Sequence, residues 1–458
     1  MNEMGGNALD REWGAYSLLR FAFPTIVMMM FMGLYTMVDT VFVAQLVNTD
    51  ALSAINIVCP VVNLTVGLGT MAAAGGNAIV SRKMGAGAVR EAREGFTLLV
   101  VAGVAMGAGL MVAGFLWMEE IVYALGASRR LFPYCRDYLA VLVLFIPANI
   151  LQTLFANFLV TAGRPGLGLG LSVLAGVANI VFDYIFLVPC GMGIRGAALG
   201  TGIGYLIPAA AGIAFFLSGE GALFFVRPRM KPGVAVSRQI GEWLGIIRES
   251  CFNGSSEMVS QLATALTTYL FNITMMDLAG ENAVAAITII IYSQFLLNTL
   301  FLGFTMGIAP VAGFYYGNKN YVRQRKVFRI SMGFLAITSL LVFAFSFVGG
   351  PYIAGMFAGE ASEVYGITVQ GFGVFSFGFL FCGWNIFISG MFTALSNGKV
   401  SAVLSFLRTF GLLAGGILLL PRVWGITGVW LAVPVAEGVM FVVSVGCLAL
   451  VRKKYFYP

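Results

Sequence analysis

The chain has 458 residues, of which 59% are hydrophobic and only 10% charged, and its mean hydropathy is +0.91. Soluble domains carry roughly a quarter charged residues, so this composition excludes a soluble globular protein and implies an integral membrane protein. The formal charge is +7 and histidine is absent, which excludes histidine-dependent membrane catalysis and leaves the basic excess to be explained by its distribution along the chain.

No short apolar core with a small-residue cleavage site stands between Met1 and Tyr16, so no signal peptide is expected and the first span is retained. The apolar runs are long and continuous, not alternating segments of about ten residues, which predicts helices and not a β-barrel. Twelve spans are predicted, at 18–46, 51–80, 96–117, 131–159, 166–189, 195–218, 250–276, 281–315, 327–349, 363–394, 399–420 and 425–451. Several exceed the ~20 residues that a bilayer requires, which implies tilt or protrusion.

The connecting loops alternate in charge. Arg82, Lys83, Arg90 and Arg93 stand on one side, as do Arg164, Arg227, Arg229, Lys319, Arg323 and Arg452, and that side holds most of the 27 basic residues. The opposite side carries Glu119, Glu120, Asp277, Glu281, Glu360 and Glu363 with few basic partners. The positive-inside rule therefore places both termini in the cytoplasm. A nucleic-acid patch is the competing reading of these loops, and the alternation argues against it.

An internal repeat runs through the chain at a constant offset of 232 residues. Ala51, Ala54, Ile55 and Ile57 recur as Ala283, Ala286, Ile287 and Ile289; Gly85, Arg93 and Phe96 recur as Gly317, Arg325 and Phe328. Thr161 and Ala162 recur as Thr393 and Ala394, and Gly196 as Gly428. Chance identities between apolar segments drift in register, and this register holds from the second span to the twelfth. The expected organisation is an all-α membrane protein of two pseudo-symmetric six-helix bundles, 1–218 and 250–458, joined by a cytoplasmic connector at 219–249. Six spans per half is an even number, so both halves insert the same way and their axis runs along the membrane normal, as in secondary transporters whose halves rock against each other.

Within the spans, ionisable residues are costly and point to function. Asp39 lies about seven residues before the outer end of span 1, and Asp183 about six before the end of span 5. Asn179, four residues before Asp183, shares its helix face, and Thr201 lies at the same level in span 6. Two carboxylates in a poorly hydrated site repel, so one of them can carry a proton near neutral pH; with Asn179 and Thr201 the same oxygens could ligate Na⁺. The bland reading is that each acid only hydrogen-bonds a neighbouring helix. Glu257 in span 7, Glu437 in span 12 and Arg408 in span 11 are candidates for a charge pair, Glu437–Arg408 or Glu257–Arg408, or for contact with a cationic substrate. No Gly-Lys-Ser/Thr phosphate loop occurs, so ATP is not a direct energy source.

The pattern FPTIVMMMFMGLYTMVDTVFVAQL in span 1 and Ala51-Leu-Ser-Ala after it carry a resemblance. So do the glycine-rich end of span 2 leading into Arg82-Lys83-Met84-Gly85, Asn179-Ile-Val-Phe-Asp183, and Gly196-Ala-Ala-Leu-Gly-Thr201. In this order the set resembles the MATE family, the multidrug and toxic compound extrusion transporters, in its bacterial drug-efflux branches, over essentially the whole chain. The resemblance implies a V-shaped pair of lobes that exports organic, often cationic, compounds in exchange for H⁺ or Na⁺. It further implies that Asp39, Asp183, Asn179 and Thr201 form the coupling-ion site and that the first helix bends near Pro24, where the missing backbone donor permits a kink. A second cation site known in one branch pairs a span-7 glutamate with a span-10 aspartate; Glu257 matches the first, but 363–394 contains no aspartate. The expectation is a monomeric multidrug antiporter of the inner (cytoplasmic) membrane, not an enzyme, with no cofactor beyond the coupling ion, no nucleic-acid partner, and small organic cations as substrates. Its nearest rival, a flippase for lipid-linked saccharides of the same superfamily, would show several basic residues in its central spans, where only Arg408 qualifies. A membrane transferase would need a catalytic cluster that the sequence does not display.

Overall fold

The computed structural model describes residues 8–47, 49–219, 221–230, 233 and 235–456; for 39–46, 49, 52, 452–454 and 456 it describes the backbone alone. Every regular element among these residues is helical. The first half contains α1 (Ala15–Leu46), α2 (Thr49–Gly85), α3 (Val89–Leu116), the short α4 (Met118–Ala124), α5 (Phe132–Leu144), α6 (Ile146–Thr161), α7 (Pro165–Leu187) and α8 (Ile194–Leu217). Next comes α9 (Val236–Asn253), then α10 (Ser255–Gly317), α11 (Tyr321–Phe357), α12 (Glu363–Phe375) and α13 (Phe379–Ala394). The chain closes with α14 (Gly398–Phe406), a π-helical segment (Leu407–Leu413), α15 (Ala414–Leu419), α16 (Pro421–Trp424) and α17 (Ile426–Phe456).

Ten of these helical stretches are long and apolar enough to cross a bilayer, and the pair α5–α6, bent by 53°, makes an eleventh. The bend falls where Pro147 enters the first turn of α6, a position that suits its fixed φ and missing donor. Helix α10 is 63 residues long; as one straight helix it would measure about 95 Å, three times the ~30 Å hydrocarbon core. It is broken at Ala279 (φ −150°, ψ 16°) and Gly280 (φ 71°, ψ −158°), where glycine admits the positive φ. Counted as two crossings, α10 completes the twelve predicted spans.

The repeat is visible in how the halves touch. A Cβ on Gly85 of α2 would run into the carbonyl oxygen of Phe314 in α10, and a Cβ on Gly317 of α10 would run into that of Arg82 in α2. Residues 85 and 317 are related by the 232-residue offset, and so are 82 and 314. The two contacts are one contact seen from either side of a pseudo-two-fold axis. The same holds one step further in, where Gly75 meets the Ser250 carbonyl and the backbone of Gly254, and Gly307 meets Ala22. Only glycine lets backbones come this close, as in other membrane helix packings.

These approaches lie on the side of the basic loops. There Arg82 bridges to Glu249 at 2.9 Å, Arg323 to Asp10 at 3.1 Å, and Asn253 Nδ2 donates to the Thr393 carbonyl at 2.8 Å. Arg93 donates to the carbonyl of Ala222 at 3.0 Å and covers the Phe224 ring, which fastens the start of the connector to α3.

Candidate functional site

In the first half, α7 lies between α1 and α8 and carries Asn179 and Asp183 on one face, four residues apart. Both are buried, Asp183 fully. A carboxylate fits here because the facing position of α8 is Gly200, where a Cβ would collide with Asp183 Oδ1. One turn further along α8, Gly204 leaves room for Asn179, whose Cβ would lie 3.4 Å from a Cβ placed there. Neither amide atom of Asn179 has a hydrogen-bond partner among the described residues. Thr201 follows Gly200 directly; it is half-buried, and its hydroxyl donates to the Ala197 carbonyl at 3.1 Å.

Helix α1 meets α7 at Gly176, where a Cβ would lie 2.6 Å from the Phe31 ring and 3.1 Å from that of Tyr35. Both helices run in the same direction. With equal rise per residue, the backbone of residue 39, four beyond Tyr35, is level with residue 180, between Asn179 and Asp183. The side chain of Asp39 lies outside the described residues, so its contacts form no part of this geometry. Helix α1 is helical throughout with Pro24 inside it, where the missing backbone donor permits a kink.

The second half holds a different arrangement. Arg408, in the π-helical segment, grips Glu437 of α17 through Nε at 2.9 Å and Nη2 at 2.7 Å to Oε1, and through Nε at 3.2 Å to Oε2. Asn385 of α13 donates to Glu437 Oε2 at 2.8 Å and to its backbone carbonyl at 2.9 Å. Cys382 accepts from Arg408 Nη2 at 3.2 Å and donates to Asn298 of α10 at 3.2 Å. Of the two charge pairs left open by the sequence, the structure forms Glu437–Arg408 and not Glu257–Arg408. Glu257 stands in the first turn of α10, just past the helix break at Gly254; it is half-buried, its N–H donates to the Gly254 carbonyl at 3.0 Å, and its carboxylate makes no ion pair among the described residues. Its neighbour Met258 approaches Gly67, near the middle of α2, to 3.7 Å from a Cβ built there.

Sequence reasoning missed Gly200, Gly204 and Gly176 as the counterfaces of the first site, and Asn385, Cys382 and Asn298 around the second. The alternating Gly200, Gly202 and Gly204 in an apolar span was a signal for close approach, but it does not name what approaches. Asn385, an amide in the middle of an apolar run, was a signal of the same kind as Asn179.

Comparison with known proteins agrees with this architecture. The MatE family model matches residues 24–185 and 258–414, more than half of the chain. The multidrug export protein MepA of Staphylococcus saprophyticus subsp. saprophyticus is 20% identical over 447 residues, which cover 95% of this chain and 94% of that protein. MepA of Staphylococcus aureus (strain bovine RF122 / ET3-1) is 21% identical over 453 residues, 96% and 94% of the two chains. Among solved structures, the outward-facing conformation of a multidrug resistance MATE family transporter of the MOP superfamily superimposes with a TM-score of 0.89 at 19% identity, over 99% of this chain and 100% of that one. A MATE structure in the bent conformation gives a TM-score of 0.86 at 19% identity, with the same coverage. At these identities the structures establish a shared fold.

Proposed function

The chain belongs to the MatE family of transporters, and from that premise we propose that it is a secondary active multidrug exporter that expels organic, cationic compounds in exchange for H⁺ or Na⁺. The observation that carries this reading is a fully buried carboxylate, Asp183, set against a glycine and next to the amide of Asn179, level with a second acid on α1. A proton or Na⁺ arriving at such a site would offset the cost of burying the charge. An arriving proton converts one carboxylate of the Asp39–Asp183 pair to a neutral acid and relieves their repulsion. An arriving Na⁺ would be held by the same oxygens, with Asn179 Oδ1 and the hydroxyl of Thr201 as further ligands.

Binding of the ion must bias one of two conformations if it is to drive transport. Helix α1 is the element placed to respond, because it carries Asp39 at one end and Pro24 at the other. Neutralising an acid at this level changes the charge carried by α1 or α7, and Pro24, which leaves the carbonyl of residue 20 without its helical donor, is where the helix can bend. Bending narrows the space beside α7 and α8 and expels the compound held there. The multidrug range is supported by the names of the MepA relatives. In this reading the protein works as a monomer in the cytoplasmic membrane with both termini inside, and its only cofactor is the coupling ion.

Purified protein in sealed vesicles, given a pH gradient or a Na⁺ gradient separately, should move a cationic dye under one of them. The same gradient should fail to drive export by Asp39→Asn while the variant keeps its unfolding temperature. Undiminished export by Asp39→Asn would sink the coupling role.

A further inference from the structure

At the 232-residue offset, Arg408 falls on Gly176 and Glu437 on Tyr205. The polar cluster of the second half therefore lies along the counterparts of α7 and α8, one to two turns from the positions that match the acid site, since Asn179, Asp183 and Thr201 correspond to Gly411, Gly415 and Val433. The two halves differ in how charge is balanced. In the first half the three helices around the site carry no basic residue near it: α7 has none, α1 has only Arg20 at its far end, and α8 has only Arg195 in its first turn, bridged to Asp137 at 2.7 Å. None of these three helices brings a basic side chain to the site. In the second half the chain supplies one.

We propose that Arg408 is a tethered cation that keeps Glu437 ionised throughout the cycle and withholds it from the ion exchange of the first half. This rests on the coupling role of Asp39 and Asp183 proposed above. Three hydrogen bonds from one guanidinium and one from Asn385 account for both oxygens of Glu437, so an incoming proton or Na⁺ finds no oxygen to take. Fork-shaped pairing of this kind is the strong form of a charge-assisted bond, and arginine does not deprotonate in proteins. The cluster also joins four elements, α10, α13, the π-helical segment and α17, so it moves as one piece with its half. Of the groups facing Glu437, Arg408 is the charged one, and Cys382 and Asn385 of α13 are the others. Glu363, Lys399 and Arg422 sit at the ends of α12, α14 and α16, and Glu257 is in the first turn of α10.

Removing the tether should create a new ion site. In Arg408→Gln, Glu437 retains Asn385 but loses its cation, and the carboxylate must then take a proton or a Na⁺ from solution. Arg408 is 22% exposed where Glu437 is 6%, so the position that it vacates opens a route. Infrared difference spectra of the reconstituted protein across the neutral pH range, in choline and in Na⁺ buffers, read this directly. The wild type and Glu437→Gln should give the same carboxyl bands. Arg408→Gln should show one additional band that titrates or responds to Na⁺, and it should vanish in Arg408→Gln/Glu437→Gln. A titrating Glu437 band in the wild type, or none in Arg408→Gln, overturns the proposal. Should Arg408→Gln fail to fold, the triple variant Asp39→Asn/Asp183→Asn/Glu257→Gln keeps Arg408 in place. It should show no titrating carboxyl within the spans, and a residual one would overturn the proposal. The readout does not depend on transport, so a loss of the coupling role in Asp39→Asn tests the earlier reading and leaves this one to its own result.

Discussion

The two halves share a backbone plan and a register, yet they solve the problem of a buried acid in different ways. In the first, Asp183 sits fully buried against Gly200, and no basic residue of the surrounding helices stands near it. In the second, Glu437 is clasped by Arg408 and Asn385, drawn together by a π-helical segment. The difference teaches that repeat symmetry constrains where a polar site can be built and leaves open what it does. Positions 176 and 408 are equivalent at the 232-residue offset; glycine at one admits the Phe31 and Tyr35 rings of α1, and arginine at the other reaches Glu437 of α17 and Cys382 of α13.

The sharpest way to break this comparison is to unbalance the charge of the second half. Arg408→Ala should destabilise the protein by about 3–5 kcal/mol, because it strands a buried carboxylate, whereas Arg408→Met/Glu437→Met should come within about 1 kcal/mol of the wild type or exceed it. Thermal unfolding in detergent measures both. Equal losses in the single and double variants would mean that the cluster is packing and not charge. The comparison also predicts a likeness. Gly85→Ala and Gly317→Ala should each cost about 1–3 kcal/mol through overpacking against a backbone carbonyl, and by about the same amount, since each glycine meets the repeat-equivalent of the other's partner. A large inequality between them would show that the crossing is not symmetric in energy. The smallest effect on stability belongs to Pro24→Ala, which restores a backbone donor to α1. A gain of about 0.5–1.5 kcal/mol is expected from that hydrogen bond, together with slower export if bending at Pro24 is part of the cycle, read as initial rates of dye efflux.

Much of this was legible in the sequence, for identifiable reasons. The span count followed from hydropathy. Gly85 and Gly317 were visible as a repeat pair, because a packing role fixes both the residue type and its register. The common face of Asn179 and Asp183 followed from helical spacing. What the sequence left open depends on the neighbour across the gap. Gly200 is a counterface only because α8 turns it toward Asp183, and nothing in its own span says so. Arg408 had two acids to choose from, Glu257 and Glu437, and spacing along separate helices does not rank them. The π-helical segment that delivers Arg408 has no composition of its own, since Leu407–Leu413 reads as an ordinary apolar helix. Asp39, the most conspicuous residue in the sequence, is the one whose side chain lies outside the described residues.

The glycine crossing of α2 and α10 has a mechanical consequence. Backbone laid on backbone, with no side chain between, is a bearing: it can pivot without repacking rotamers, and it sits at one end of the membrane, not in its middle. A pivot so placed works as a lever across the whole hydrocarbon thickness. Over ~30 Å, each degree of rotation displaces the far ends by about 0.5 Å, so a turn of roughly twenty degrees separates them by about 10 Å, the width of a helix. Under the alternating access proposed above, the closeness that glycine allows at one face would set the width of the opening at the other.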